Sequence, residues 1–295
     1  MTKTVEEYLQ ALKEELKDRD SATIQDALAD AEEHLRTALE STRENQPDLN
    51  KADALIQIIE HYGTPEETAA AYVEVERRTS PGLGPATVSK SRSPFGRFFG
   101  IYADPRAWGS LFYMLSAFAT GIIYFTWVVT GLSLSVSFAI FIFGLPVSLL
   151  FLLSIRGLAW LEGRLVEALL GVRMPRRQLF VAKNVKLVES IKQLLLDKHT
   201  WFSLVYMTLQ IVLGTIYFVV LVTVFAYSLA GLVIPIQEVF HLQVVSYGSM
   251  IYYLPSWSYP LAVLAGILVW TVTMHIVKFI GQLHGRYAKF LLVTE

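Results

Sequence analysis

The sequence predicts an all-α protein in two parts, a small cytosolic helical bundle and a four-helix transmembrane domain with an internal parallel repeat. Three observations carry this reading. The 295 residues are 53% hydrophobic with a mean hydropathy of +0.43, far above a soluble chain of this length. That apolar content is uneven: the first 79 residues are charged, and the rest alternates long apolar runs with basic patches. Charge divides at the same place. Through Arg78 there are 19 acidic and 9 basic residues, a net of −10, and the remaining 7 acidic and 16 basic residues give +9.

The first part, residues 1–79, reads as four amphipathic helices. Thr4-Val5-Glu6-Glu7 has the spacing of a capping box, in which hydroxyl and carboxylate satisfy two orphan backbone donors. Behind it Val5, Tyr8, Leu9, Leu12 and Leu16 form one apolar stripe. Ser21 is the expected cap of a second helix with the stripe Ile24, Leu28, Ala31, Leu35 and Leu39. A third stripe, Leu55, Ile58, Ile59 and Tyr62, ends at Gly63, and Thr64-Pro65-Glu66-Glu67 restarts a helix with cap, proline and capping-box glutamate in place. Each stripe is too narrow to stand alone, so the helices bury their faces against one another, or in a homodimer.

Tyr8-Leu9 with Leu12, the Glu32-Glu33-His34-Leu35 run and Tyr62-Gly63-Thr64-Pro65-Glu66-Glu67-Thr68-Ala69 make this segment resemble the HAAS family, a small helical signalling-associated module. The resemblance implies a regulatory role without catalytic residues. Tyr62 stands where that family usually has leucine or isoleucine. The acidic surface repels phosphate, so direct nucleic-acid binding is not expected, and Glu32, Glu33, Glu66 and Glu67 become the candidate surface for a protein partner.

Ser80-Pro81-Gly82-Leu83-Gly84-Pro85 opens a linker assigned to residues 80–103. Within residues 104–295, predominantly apolar spans at about 108–131, 134–155, 201–231 and 260–280 are long enough to cross a bilayer, with a short Gly-Leu-Ser turn between the first two. Lysine and arginine precede the first run, fill the connection from Arg156 to Lys198 and follow the fourth run, whereas the other two loops have no basic residue. The positive-inside rule then puts both termini in the cytosol. No signal-peptide pattern opens the chain, and the expected location is the bacterial inner membrane.

A shift of 93 positions matches Asp104, Trp108, Ser110, Leu111, Tyr113, Met114, Gly121, Ile123, Tyr124, Phe125, Val129 and Thr130 to identical residues from Asp197 to Thr223, 12 identities in 27 positions. Both copies start on the same side, so the halves are expected to be related by an axis along the membrane normal. Asp-x-x-x-Trp-x-x-Leu-x-Tyr, found twice, together with Gly144-Leu145-Pro146, Glu162-Gly163-Arg164 and Leu169-Leu170-Gly171, resembles the sensor domain at the front of many actinobacterial histidine kinases. The resemblance covers about Asp104 to Thr294 and shows no kinase residues.

No cysteine is present, the six histidines lack metal-ligand spacing, and no nucleophile elbow, Walker loop or dinucleotide fingerprint occurs. Neither enzyme, metal nor cofactor is expected. His275 is read as the one clear ionisable group inside a span, either a proton sensor or an interfacial histidine bonded to backbone. Gln210 is expected to bond across helices, and Gly121 and Gly214 are candidate sensing or packing positions. Arg173, Arg176, Arg177, Lys183 and Lys186 form a basic surface toward lipid. Tyr247, Tyr252, Tyr253, Trp257 and Tyr259 read as an interfacial aromatic belt.

Two functions fit. One is a non-enzymatic signalling protein whose spans sense a membrane-borne cue and whose cytosolic domain relays it to a regulator, kinase or transporter. The other is an accessory or scaffold subunit of a membrane complex such as an ABC-type exporter. The acidic module is further expected to dock on the basic connection from Arg156 to Lys198, because their charges are opposite.

Overall fold

The caps supplied by the sequence set the helices of the N-terminal module. The computed structural model describes residues 4–45, 49–78, 93–138, 144–176, 187–240, 245–247, 250–252 and 255–293. Helix α1 (Val5–Glu15) starts where Thr4 Oγ1 accepts from the Glu7 N–H at 3.1 Å. In α2 (Ser21–Asn45) the cap is Asp20 rather than Ser21: its Oδ1 accepts from the Ala22 N–H at 2.9 Å, and Ser21 is already helical. A carboxylate is the better partner for the positive helix end. Helix α3 (Lys51–Tyr62) ends at Gly63, whose φ of 111° suits glycine. Both halves of the Thr64/Glu67 capping box then form at the start of α4 (Pro65–Arg78).

The expected stripes converge. Val5, Tyr8, Leu12, Leu16, Ala27, Ala31, Leu35, Leu55 and Ala69 make one buried core, flanked by Leu9, Ile24, Leu28, Leu39, Ile58, Ile59, Tyr62, Tyr72 and Val73. Tyr8 is its pin. Its hydroxyl donates to the Gly63 carbonyl at 2.9 Å and lies 2.9 Å from Thr68 Oγ1, tying α1 to the turn between α3 and α4. Burial raises the phenol's pKa above its usual value.

After residue 92 come α5 (Pro94–Phe99), a 3-10 turn (Gly100–Ala103), α6 (Pro105–Phe138), α7 (Gly144–Leu170), α8 (Leu187–Leu196), α9 (Lys198–Val239), a two-stranded antiparallel hairpin of β1 (Val245–Tyr247) and β2 (Met250–Tyr252), a 3-10 turn (Ser256–Ser258) and α10 (Tyr259–Leu292). Helices α6, α7, α9 and α10 are long and apolar enough to cross a membrane, so this is a multi-pass membrane protein of all-α class apart from the small hairpin.

Several boundaries differ from the sequence reading. Helix α6 continues through Gly131-Leu132-Ser133, where a turn was expected, because in apolar surroundings every backbone group needs an internal partner. Helix α7 runs 15 residues past Ile155 and carries Arg156, Glu162, Arg164 and Glu167 with it. Helix α9 passes Pro235 into the stretch read as the second loop, and α5 forms inside the stretch read as linker.

The chain forms two compact units. One comprises Met1–Gly84, Val128–Tyr206 and Arg286–Glu295; the other comprises Pro85–Trp127 and Met207–Gly285.

Candidate functional site

In the first unit the end of α7 meets the N-terminal module. Gly171, at φ 69°, ends α7 in the left-handed conformation and turns the chain back, so that buried Met174 lies against Gly163. Arg176 then engages three residues on two helices, α7 and α2. Its carbonyl accepts from Trp160 Nε1 at 3.0 Å, its guanidinium reaches Glu167 at 3.4 Å, and its backbone N–H donates to Asp26 Oδ1 at 2.7 Å. Arg164 pairs with the other oxygen of Glu167. A second anchor joins Lys289 Nζ, near the end of α10, to Asp20 Oδ2 at 2.5 Å.

These anchors explain why α2 is buried on two sides. Ala27, Ala31 and Leu35 face the module's own core, yet Ala22, Thr23, Gln25, Asp26 and Ala29 are buried as well. Residues 22, 26 and 29 recur at helical spacing and form a second stripe of small and polar side chains. Within this unit the acidic module is thus held at Asp26 by a backbone N–H of the expected connection and at Asp20 by Lys289, which lies outside the Arg156 to Lys198 connection.

Two polar groups lie deeper in the same unit. Glu162, fully buried on α7, accepts from the Tyr206 hydroxyl at 2.9 Å, and the Tyr206 ring stacks on Tyr287. Arg156 pairs with Asp197 at 2.6 Å, while Asp197 Oδ1 accepts from the His199 N–H and so caps α9.

The second unit contains corresponding pairs. Asp104 caps α6 through the Arg106 N–H and pairs with Lys278 at 2.6 Å. Burial alone would raise the Asp104 carboxyl, but the hydrogen bonds from Lys278 and the Arg106 N–H outweigh it and hold the group below the usual carboxylate value. His284 Nε2 lies 2.8 Å from the Tyr113 hydroxyl, and its Nδ1 lies 3.1 Å from the Tyr217 hydroxyl. Gln210 Nε2 donates to the Tyr113 oxygen at 3.3 Å, whereas Gln210 Oε1 is buried with no partner among the described residues.

The repeat reappears in these contacts. Asp104 and Asp197, and Tyr113 and Tyr206, are 93 residues apart; Arg156 and Lys278, and Glu162 and His284, are 122 apart. In both cases the first helix of one repeat bonds to the second helix of the other. The Trp108 and Trp201 indoles likewise donate to the Tyr102 and Leu195 carbonyls, again 93 apart. Where α6 crosses α9, a Cβ on Gly121 would lie 2.8 Å from the Gln210 carbonyl and Ile211 Cα, and one on Gly214 would strike the Ala117 backbone and Phe118 N. Positions 117 and 210, and 118 and 211, are themselves 93 apart, so this crossing is reciprocal.

The remaining residues named from sequence are placed as follows. His275 Nε2 bonds to the Phe98 carbonyl at 2.9 Å and its ring stacks on Phe98, beside a recess of about 430 Å³ lined by Pro94, Arg97, Phe98 and His275. It is not the one ionisable group on a membrane-length helix, since Glu162 and His284 are more deeply buried. Glu32 pairs with Arg36, Glu67 serves the capping box, and Glu33 and Glu66 are exposed. Arg173 is half-buried, while Arg177, Lys183 and Lys186 lie outside the described residues, as do the side chains of Tyr247, Tyr252 and Tyr253. Among the described residues no group of three or more His, Asp or Glu side chains could hold a metal ion.

Glu162 and His284 escaped the sequence reading because the basic residues around them marked those stretches as loops. A signal was available. Leu161-Glu162-Gly163-Arg164 and Leu283-His284-Gly285-Arg286 share a pattern, and Leu169-Leu170 matches Leu291-Leu292 at the same offset.

The family model described as "Putative sensor" matches residues 113–292, more than half of the chain. No curated protein and no solved structure matches it.

Proposed function

The chain belongs to this sensor family, and on that premise we propose that it is a non-enzymatic membrane signalling protein. Its spans respond to a membrane-borne cue, and its N-terminal module, which the HAAS resemblance makes a regulatory domain, relays the response to a protein partner. Both termini face the cytosol of a bacterium, in keeping with the lysines and arginines at the ends of the four long helices.

The observation that carries this reading is the three-way engagement of Arg176. A displacement of the end of α7 acts on Trp160 and Glu167, both bonded to Arg176, and Arg176 holds Asp26 of α2. A change in the membrane helix is thereby delivered to the module through one short segment, without needing the linker. Coupling of this kind requires a contact whose geometry both ends bias.

Hydrogen exchange of the full-length protein tests it. In bilayers that differ in thickness or headgroup, protection at the start of α2 should change, and Asp20→Asn/Asp26→Asn should raise exchange there while α6 and α9 stay protected. A start of α2 equally protected in every bilayer would refute relay and favour the scaffold reading. Orientation is tested separately with single cysteines, which the native chain lacks. A cysteine at Ser41 should resist an impermeant thiol reagent in intact cells, and one at Ser246 should react.

A further inference from the structure

We propose that the recess between the start of α2 and the end of α10 binds the phosphate headgroup of an anionic phospholipid, which competes with Asp20 for Lys289 and so loosens the docked module. This deepens the relay reading above and rests on it.

The recess, about 220 Å³, is lined by Ser21, Arg286, Lys289, Phe290 and Val293. It offers two cations to one anion. Lys289 is engaged by Asp20, whereas Arg286 is exposed and has no ion-pair partner among the described residues. A phosphodiester bridging Arg286 and Lys289 would share its single negative charge between them, and a guanidinium is suited to phosphate because it donates two parallel hydrogen bonds.

Position favours a lipid as the source of that phosphate. Arg286 and Lys289 lie in the last two turns of a membrane-length helix, at the depth where headgroups sit. Phe290, which lines the same recess and is 72% exposed, offers an apolar surface along which an acyl chain can lie while the headgroup reaches inward. A free anion would make no use of it.

The competition follows from the weakness of the contact it replaces. The side chains of Lys289 and Asp20 keep 21% and 30% of their exposure, so water and ions reach the pair and its net worth is small. A bound headgroup also sets a second negative charge beside Asp20. Of the two anchors, the module would then retain the Arg176–Asp26 hydrogen bond alone.

The test places spin labels on Arg19→Cys, beside Asp20, and Leu161→Cys, beside Trp160, which the Arg176 segment holds near the start of α2, and measures their distance in nanodiscs of the full chain. Nanodiscs of phosphatidylcholine should give a single short distance, and added phosphatidylglycerol should populate a longer one at constant ionic strength. Arg286→Gln should keep the short distance in phosphatidylcholine and need about fivefold more phosphatidylglycerol for the same response, the loss of one basic contact near a membrane surface. If that variant disturbs the docked distance itself, Ser21→Glu, which sets a carboxylate in the recess, has the same expected shift. Three results would overturn the proposal: a distance that ignores phosphatidylglycerol, an unshifted response in both variants, or an equal response to inorganic phosphate in phosphatidylcholine. In each case a retained short distance leaves the relay contact standing. Absence of that distance in every bilayer would instead remove the relay.

Discussion

Asp104 Oδ2 lies 2.6 Å from Lys278 Nζ, and the corresponding residues of the other repeat, Asp197 and Arg156, are also 2.6 Å apart. Each aspartate caps the helix that opens its repeat and takes its counter-ion from the second helix of the other repeat. The two-span halves are thus interlocked by charge.

The Asp104 pair predicts a pH-dependent stability. Asp104→Asn keeps an acceptor for the Arg106 N–H but removes the charge, at a cost of about 1–3 kcal/mol at neutral pH. Because the folded carboxyl titrates below its usual value, its contribution is complete above the unfolded value of about 3.9 and is lost as pH falls through the folded one. Thermal unfolding in micelles should separate parent from variant at neutral pH and bring them together on acidification. A gap that persists in acid would assign the loss to something other than this charge.

The reciprocal glycines predict a graded packing series. Gly121→Ala and Gly214→Ala each set a methyl group against facing backbone, which cannot rotate away, and should cost about 1–3 kcal/mol by forcing α6 and α9 apart. Gly157→Ala on α7 meets nothing within 4 Å and should be neutral or slightly stabilising. Comparable losses at all three positions would mean that helix propensity, rather than the crossing, controls the result.

The N-terminal module should fold without the membrane helices. Its core is drawn entirely from residues 5–69, so a fragment of residues 1–79 is expected to be helical and soluble. Leu35→Asp should unfold the fragment, because an unpaired buried charge costs several kcal/mol, comparable to the stability of so small a domain. Tyr8→Phe leaves the ring in place but removes the two contacts of its hydroxyl, and should cost about 1–2 kcal/mol by urea unfolding monitored by circular dichroism. A well-folded monomeric Leu35→Asp fragment would refute the core.

What was legible in the sequence divides along physical lines. The stripes of α1, α2 and α3 and the capping box at Thr64 were readable, because each depends on residues within a turn or two of one another. The second face of α2 was not. Ala22, Gln25, Asp26 and Ala29 contribute no apolar period, and the hydrogen bond on Asp26 comes from a segment 150 residues away. Glu162 and His284 were hidden for another reason: an ionisable residue in a sequence signals water, and tyrosine partners help to make its burial tolerable. Helix ends were the least readable, since α6 and α9 continue through Gly131 and Pro235, residues that close helices in water.

The network around His284 gives the last prediction, in which stability and function should part. His284 bridges Tyr113 and Tyr217 at 2.8 and 3.1 Å, whereas Gln210 adds only one long contact of 3.3 Å and leaves its Oε1 unsatisfied among the described residues. Side-chain hydrogen bonds between membrane helices average about 0.6 kcal/mol and reach about 1.7. The short Tyr113–His284 bond belongs toward the upper end of that range, so a cycle of Tyr113→Phe and His284→Leu should give a coupling of about 1 kcal/mol. For Gln210→Leu the balance reverses: a weak bond is lost, but so is the penalty of a buried acceptor without a donor, and stability should change by less than about 0.5 kcal/mol. If Gln210 contributes nothing to the fold, its place in the network is functional, and the variant should alter the response of α2 exchange to bilayer composition while melting like the parent. A loss above about 1 kcal/mol would show that Oε1 has a partner in the membrane, such as a bound water, and that Gln210 is structural.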